Sequence, residues 1–235
     1  NPTLINSGQE LIQWSERTGW AHLYRYTADG ELLNQITKGE WHVSNVLGVD
    51  DAKRVIYFTA TGYNKEENPY YLHLFRVNYD GTGLKQLDPK GFNGEFSLSD
   101  DRRYFTTTYS RVDTAPVSEL YSTDGKKLLT MQTVDMQPLF DAGYKYPEPF
   151  VVKAADGITD LHGVMYKPYD FDPTKKYPII EYVYPGPQTE AVEQSWYHPL
   201  VRTDRLAQLG FIVITVGNRG GHPDRSKWYH NYGYG

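Results

Sequence analysis

Cysteine is absent from the 235 residues. That removes disulfide frameworks, thiolate nucleophiles, thiol redox chemistry and zinc–cysteine centres, and leaves the compartment unreadable from thiol usage. A long hydrophobic run is missing too. The longest, Phe211 to Val216, is interrupted at once by Gly217 and Asn218, far short of the roughly 18 to 20 apolar residues that a membrane-spanning helix needs. Positive charge is in deficit: Lys plus Arg is 24 against 29 for Asp plus Glu, a net charge of −5, so no broad basic surface for nucleic acid or anionic lipid is expected. No serine stands between glycines in the G-x-S-x-G arrangement that exposes a nucleophile on a sharp strand-to-helix turn. Asn1 brings no initiator Met or signal peptide, and Tyr234-Gly235 ends the chain inside an aromatic, Gly-rich stretch, so a piece of a longer protein is expected.

Aromatic side chains are what the chain has in plenty. Tyr, Phe and Trp make up 15% of it, and such residues favour pleated, half-buried strands. They also recur in register. His22-Leu23-Tyr24-Arg25-Tyr26 followed by Asp29-Gly30 returns as His73-Leu74-Phe75-Arg76-Val77 followed by Asp80-Gly81. Gln35-Ile36 and Lys38-Gly39 return as Gln86-Leu87 and Lys90-Gly91, Trp41 has Phe92 as counterpart, and Asp50-Asp51 has Asp100-Asp101. A shorter echo is Glu119-Leu120-Tyr121 with Asp124-Gly125. Each unit reads as strand, Asp-Gly turn, strand, loop, strand, acidic turn, strand, with the Asp-Gly pairs expected in tight primed hairpins. A period near 50 residues with four short strands predicts β-propeller blades, all-β antiparallel meanders whose faces only neighbouring blades can cover. Further blades are expected before Asn1.

The pattern changes after about Met131. Residues 1–135 are predicted to be C-terminal blades of a propeller and 136–149, with Pro138, Gly143, Pro147 and Pro149, a connecting segment rather than a regular element. Residues 150–235 are predicted to open an α/β domain. A hairpin is expected around Asp156-Gly157, a strand at Tyr177 to Tyr184, a helix from Pro199 to Leu209 stopped by Gly210, and a strand at Phe211 to Val216 buried on both faces. Loops at the carboxyl ends of strands in open α/β sheets bind ligands. Tyr182-Val183-Tyr184-Pro185-Gly186-Pro187 and Gly217-Asn218-Arg219-Gly220-Gly221-His222-Pro223 sit there.

Other constellations carry less. Glu66-Glu67 lies in a polar inter-strand loop and reads as solvated. His222, Asp224 and His230 lack the periodicity that would converge them on a metal, so no metal centre and no cofactor are expected. His22 and His73 are repeat positions, and the sequence implies no partner for His42, His162 or His198. Arg219 is expected to tie its loop to a carboxylate or carbonyl. Trp196-Tyr197 and Trp228-Tyr229 are candidates for lining an apolar pocket.

Several of these stretches carry a resemblance. Ser15-Glu16 through Trp20-Ala21-His22-Leu23-Tyr24, Ile36-Thr37-Lys38-Gly39 before Trp41, Lys176-Tyr177-Pro178 running into Val183-Tyr184-Pro185-Gly186-Pro187, and Asn218-Arg219-Gly220 resemble, in collinear order, the prolyl oligopeptidase family of serine peptidases in its dipeptidyl peptidase IV-like branch. The resemblance implies the last blades of a propeller followed by the beginning of an α/β-hydrolase domain. It implies hydrolysis of short peptides, with an Xaa-Pro or related preference, through an acyl-enzyme, with Tyr184 as oxyanion donor and the Ser, Asp and His of the triad beyond Gly235. It further implies an extracytoplasmic location, periplasmic or secreted, and the option of a homodimer in the parent protein. The residues following Gly235 decide between this reading and a propeller-based binding or scaffold protein whose α/β portion is not catalytic.

Overall fold

The computed structural model describes residues 2–184, 186, 192–197 and 202–234. Three four-stranded sheets follow one another in chain order: β1 to β4 (Thr3–Ile5, Glu10–Ser15, His22–Thr27, Leu32–Gln35), β5 to β8 (His42–Asp50, Val55–Thr61, His73–Asn78, Lys85–Gln86) and β9 to β12 (Asn93–Leu98, Tyr104–Arg111, Thr114–Ser122, Lys127–Thr133). In each, hydrogen-bonded neighbours are neighbours in sequence. This is the meander that the repeat announces, in a different phase. Each sequence unit, read from His22 or His73, begins on the third strand of one sheet and ends on the second strand of the next. Self-similarity reports a period, whereas the start of a sheet is set by where the chain stops pairing and crosses over.

The Asp-Gly turns also differ from the primed two-residue form. Gly30, Gly81 and Gly125 have φ near +90°, while the aspartates before them do not enter the left-handed region. In each, the glycine N–H bonds the carbonyl three residues back (Thr27, Asn78, Ser122) at 2.9–3.0 Å. These are three-residue loops, a type I turn closed by a left-handed glycine.

Strand β6 explains how the sheets cohere. It is buried along its whole length, and its side chains alternate between two neighbours. Ile56, Phe58 and Ala60 join Ile5, Ile12, Leu23 and Trp41 of the first sheet and its connection, with Val43 of β5. Val55 and Tyr57 join Leu87 and, from the third sheet, Phe105 and Tyr121. The second sheet is therefore covered on both faces. Removing a side chain as central as Phe58 should cost about 3–5 kcal/mol.

The fourth sheet is mixed. β13 (Glu148–Lys153) pairs antiparallel with β14 (Asp160–Tyr166), β14 pairs antiparallel with β16 (Ile212–Val216), and β16 pairs parallel with β15 (Ile179–Glu181). The connection between the parallel strands carries the short helix α2 (Arg202–Ala207), with α1 (Gln137–Asp141) before it and α3 (Lys227–His230) after it in the chain. Contacts divide the chain into two compact units. One is Asn1–Tyr109, Ser118–Met131 and Asp224–Tyr229; the other is Ser110–Val117, Gln132–Pro223 and His230–Gly235. In the second unit Val164, Tyr166, Ala207 and Val213 form the core, with Ile180, Leu206 and Phe211 against it.

Four expectations are corrected here. The strand over 177–184 shrinks to Ile179–Glu181: Pro178, without an N–H to give a ladder, bounds it at the amino end, and the pairing runs out after the bond from Tyr182 to Ile214. The helix occupies Arg202–Ala207, and its expected start at Pro199 lies outside the described residues. β16 alternates buried and half-buried residues instead of being enclosed on both faces: Val213 packs under α2, while its neighbours in sequence point to the other face. The connecting segment contains one regular turn, α1, started by Pro138 in its first turn.

Candidate functional site

The parallel pairing of β15 and β16 brings two carboxyl-terminal strand ends to one edge of the fourth sheet. The register Ile179↔Ile212, Ile180↔Val213, Glu181↔Ile214 is extended by a bond from the Tyr182 N–H to the Ile214 carbonyl at 2.9 Å. Tyr184 stands two residues further on, just past the last ladder bond. The residue is 61% exposed. Pro185 and Pro187, expected to stiffen this turn, lie outside the described residues.

β16 ends beside it in the loop from Gly217 to Pro223. The Gly217 N–H is fixed by the His162 carbonyl at 2.9 Å, and Gly221 closes a turn onto the Asn218 carbonyl at 3.0 Å. Arg219 does what the sequence suggested. Its guanidinium meets the Asp156 carboxylate at 2.9 Å and stacks over the Tyr232 ring at 3.7 Å. Asp156, at the β13–β14 turn, accepts from the Thr159 hydroxyl and from the Ile158 and Thr159 N–H groups. Those bonds, with Arg219, hold its carboxyl well below the ordinary carboxylate range. The loop after β16 is thus anchored to the far hairpin of its own unit.

The remaining candidates disperse. Asp224 is engaged in the first unit: its carboxylate accepts from Ser44 Oγ at 3.2 Å and lies 3.5 Å from His42 Nε2. This gives His42 a partner that the sequence did not imply. Trp228 packs against Gly19, and Tyr229 Oη lies 3.2 Å from Tyr70 Oη. Trp196 and Tyr197 line a small cavity with Tyr144 and Tyr166. His198 lies outside the described residues.

Glu67 is a correction. It is not a solvated loop residue, although its neighbour Glu66 is exposed. Its carboxylate accepts from Asn64 Nδ2 at 2.5 Å and from the Gly91 N–H at 2.6 Å, and lies 2.8 Å from His73 Nε2. The other nitrogen of His73, Nδ1, meets Asp88 at 2.7 Å, and Asp88 also takes the Leu74 N–H at 2.8 Å. Burial alone would lower the His73 pKa, but hydrogen bonds and charge from Asp88 and Glu67 raise it to about 9. The same scaffold recurs one blade earlier without the charge. His22 Nδ1 meets Thr37 Oγ1 at 3.1 Å, and Thr37 takes the Leu23 N–H at 3.0 Å. There, desolvation pulls the imidazole below its ordinary value. The correspondence of Thr37 with Asp88 escaped the sequence comparison because the two residues are chemically unlike. The signal was their equal offset from the repeated histidines.

Comparison with known proteins agrees with this architecture. Residues 1–116 match the family described as the dipeptidyl peptidase IV N-terminal region. Among curated proteins, dipeptidyl peptidase 4 of Trichophyton equinum and of Trichophyton rubrum are each 34% identical over 226 residues, covering 92% of this chain and 28% of theirs. Among solved structures, a protein of Bacteroides ovatus designated a dipeptidyl aminopeptidase IV aligns over 98% of this chain and 35% of its own, with 30% identity and a TM-score of 0.77. Porphyromonas gingivalis dipeptidyl peptidase 4 aligns over 98% of this chain and 32% of its own, with 24% identity and a TM-score of 0.81, a likeness of fold. The chain spans less than a third of the length of these curated relatives.

Proposed function

Because the chain belongs to the dipeptidyl peptidase IV-like family, we propose that it is the stretch of a serine peptidase in which the last propeller blades give way to the start of an α/β-hydrolase domain. In this reading residues 1–135 are blades, 136–149 connect, and 150–235 begin the catalytic domain. The parent protein releases dipeptides from short peptides, with an Xaa-Pro or related preference, outside the cytoplasm. It needs no cofactor, and a homodimer is its proposed assembly.

The observation that carries the reading is the placement of Tyr184. This exposed residue stands at the carboxyl end of a strand parallel to its neighbour, which is where open α/β sheets bind ligands. In acyl transfer a serine oxygen attacks the scissile carbonyl while a histidine takes the serine proton, and negative charge gathers on the carbonyl oxygen. Tyr184 Oη donates a hydrogen bond to that oxygen and is worth most when the charge is fully developed. The serine, aspartate and histidine are supplied by sequence following Gly235.

The proposal is tested by assaying an Xaa-Pro chromogenic substrate with the parent protein and with residues 1–235 alone. Turnover by the parent and none by the isolated chain is expected. Turnover by pure residues 1–235 would place the nucleophile inside the chain and overturn this assignment.

A further inference from the structure

Asp204 is the least easily explained group in the second unit. It lies in the first turn of α2 and is 4% exposed. The polar contacts of this residue use the backbone carbonyl, which accepts from the Gln208 N–H and Nε2; among the described residues no cation or hydrogen-bond donor offsets the burial of its carboxyl, which desolvation pushes up to about 6. A carboxylate left this way is costly, so the fold has either tolerated that penalty or reserved the group for a guest.

Its surroundings favour a guest. Asp204 lines a cavity of about 10 Å³ together with Tyr144, Tyr166 and Trp196, with Glu193 on the rim, and it also borders a larger cavity of about 170 Å³ with Lys145, Tyr146 and Lys167. The smaller volume holds about one water-sized body. Tyr144 and Tyr166 are 5% and 3% exposed, and the Tyr144 hydroxyl is occupied by the Trp196 indole N–H at 2.8 Å. The walls therefore offer aromatic rings, which attract cations, and two carboxylates. The nearby lysines do not neutralise Asp204: Lys167 is taken by Glu148 at 2.7 Å, and Lys145 is exposed. Among the described residues no group of three or more histidine, aspartate or glutamate side chains is arranged to hold a metal ion, so a multiply charged metal ion is not what the cavity suits.

We propose that this cavity binds one small monovalent cation, an alkali metal ion or ammonium, against the carboxylate of Asp204. An alkali ion would sit against the carboxylate oxygens and ring faces, and ammonium would in addition donate hydrogen bonds. Binding to the folded state alone raises the melting temperature by mass action. The test is thermal unfolding of the full protein at pH 8 and constant ionic strength in sodium, potassium, ammonium or tetramethylammonium chloride, the last being too large for the cavity. One of the three small cations should raise the melting temperature by about 2–4 °C over tetramethylammonium, and which one does so identifies the guest. Asp204→Asn, nearly isosteric, should abolish the difference between salts. Identical melting in all four salts would overturn the proposal, as would an Asp204→Asn variant that keeps the full difference.

Discussion

At the scale of single residues, one position occupied twice by histidine has been given opposite electrostatics by its partner. His73 sits between Asp88 and Glu67, and its pKa is raised to about 9; His22 faces a threonine hydroxyl and a glycine carbonyl, and burial lowers its pKa. The signs follow. A histidine raised in the folded state contributes stability that is complete below its unfolded value near 6.5 and lost as pH rises through about 9. His22, lowered, contributes in the other direction, and that stability is lost as pH falls below about 6.5. His73→Gln should therefore cost about 3–5 kcal/mol at pH 7, since two carboxylates lose their imidazolium, and the penalty should shrink by pH 9.5. Urea midpoints of the variant and the parent chain at both pH values measure it; a penalty independent of pH would mean that His73 is held only by packing. The recurrence of the histidines was legible in the sequence. Their opposite pKa shifts were not, because Glu67 arrives from a loop whose composition reads as solvent-facing and Asp88 stands where the earlier blade has threonine.

At the scale of elements, turn chemistry and strand number were readable while phase and depth were not. Asp-Gly marked all three hairpins between the third and fourth strands, but loop length is decided by how the flanking strands twist into one another, which no dipeptide encodes. The repeated glycines also differ in what surrounds them. Gly30 and Gly81 share φ values of +90° and +88°, yet a Cβ on Gly30 meets nothing within 4 Å, whereas one on Gly81 would stand 2.8 Å from the Ile36 carbonyl oxygen. Gly30→Ala should cost about 1–2 kcal/mol, the left-handed strain alone. Gly81→Ala should cost clearly more, because a backbone atom of the first sheet's connection must move. Chemical denaturation of the two variants side by side checks this, and equal losses would contradict the close approach. The doubly covered β16 failed for a related reason: a run of β-branched residues reports hydrophobicity on both faces, and packing under α2 accounts for only one of them.

At the scale of the whole molecule, each of the two units contributes one decisive feature. Three stacked meanders give the repeat a physical purpose, since the fully buried β6 exists only because sheets lie on both sides of it. The mixed fourth sheet gives Tyr184 its place, since only a parallel pair brings the ends of β15 and β16 to one edge. The sequence carried the second point through its collinear likeness to a peptidase family; spacing alone favoured an ordinary strand tyrosine, and the local strand pattern overestimated β15. The central proposal is that Tyr184 serves the reaction and not the fold, and the exposure of the residue makes the two separable. The direct measurement is kcat, KM and melting temperature of Tyr184→Phe in the parent protein with an Xaa-Pro substrate. An oxyanion donor predicts a fall in kcat of about 10²–10³-fold, with KM and melting temperature nearly unchanged. A fall of less than about threefold, a tenth or less of what losing a donor costs, would contradict it.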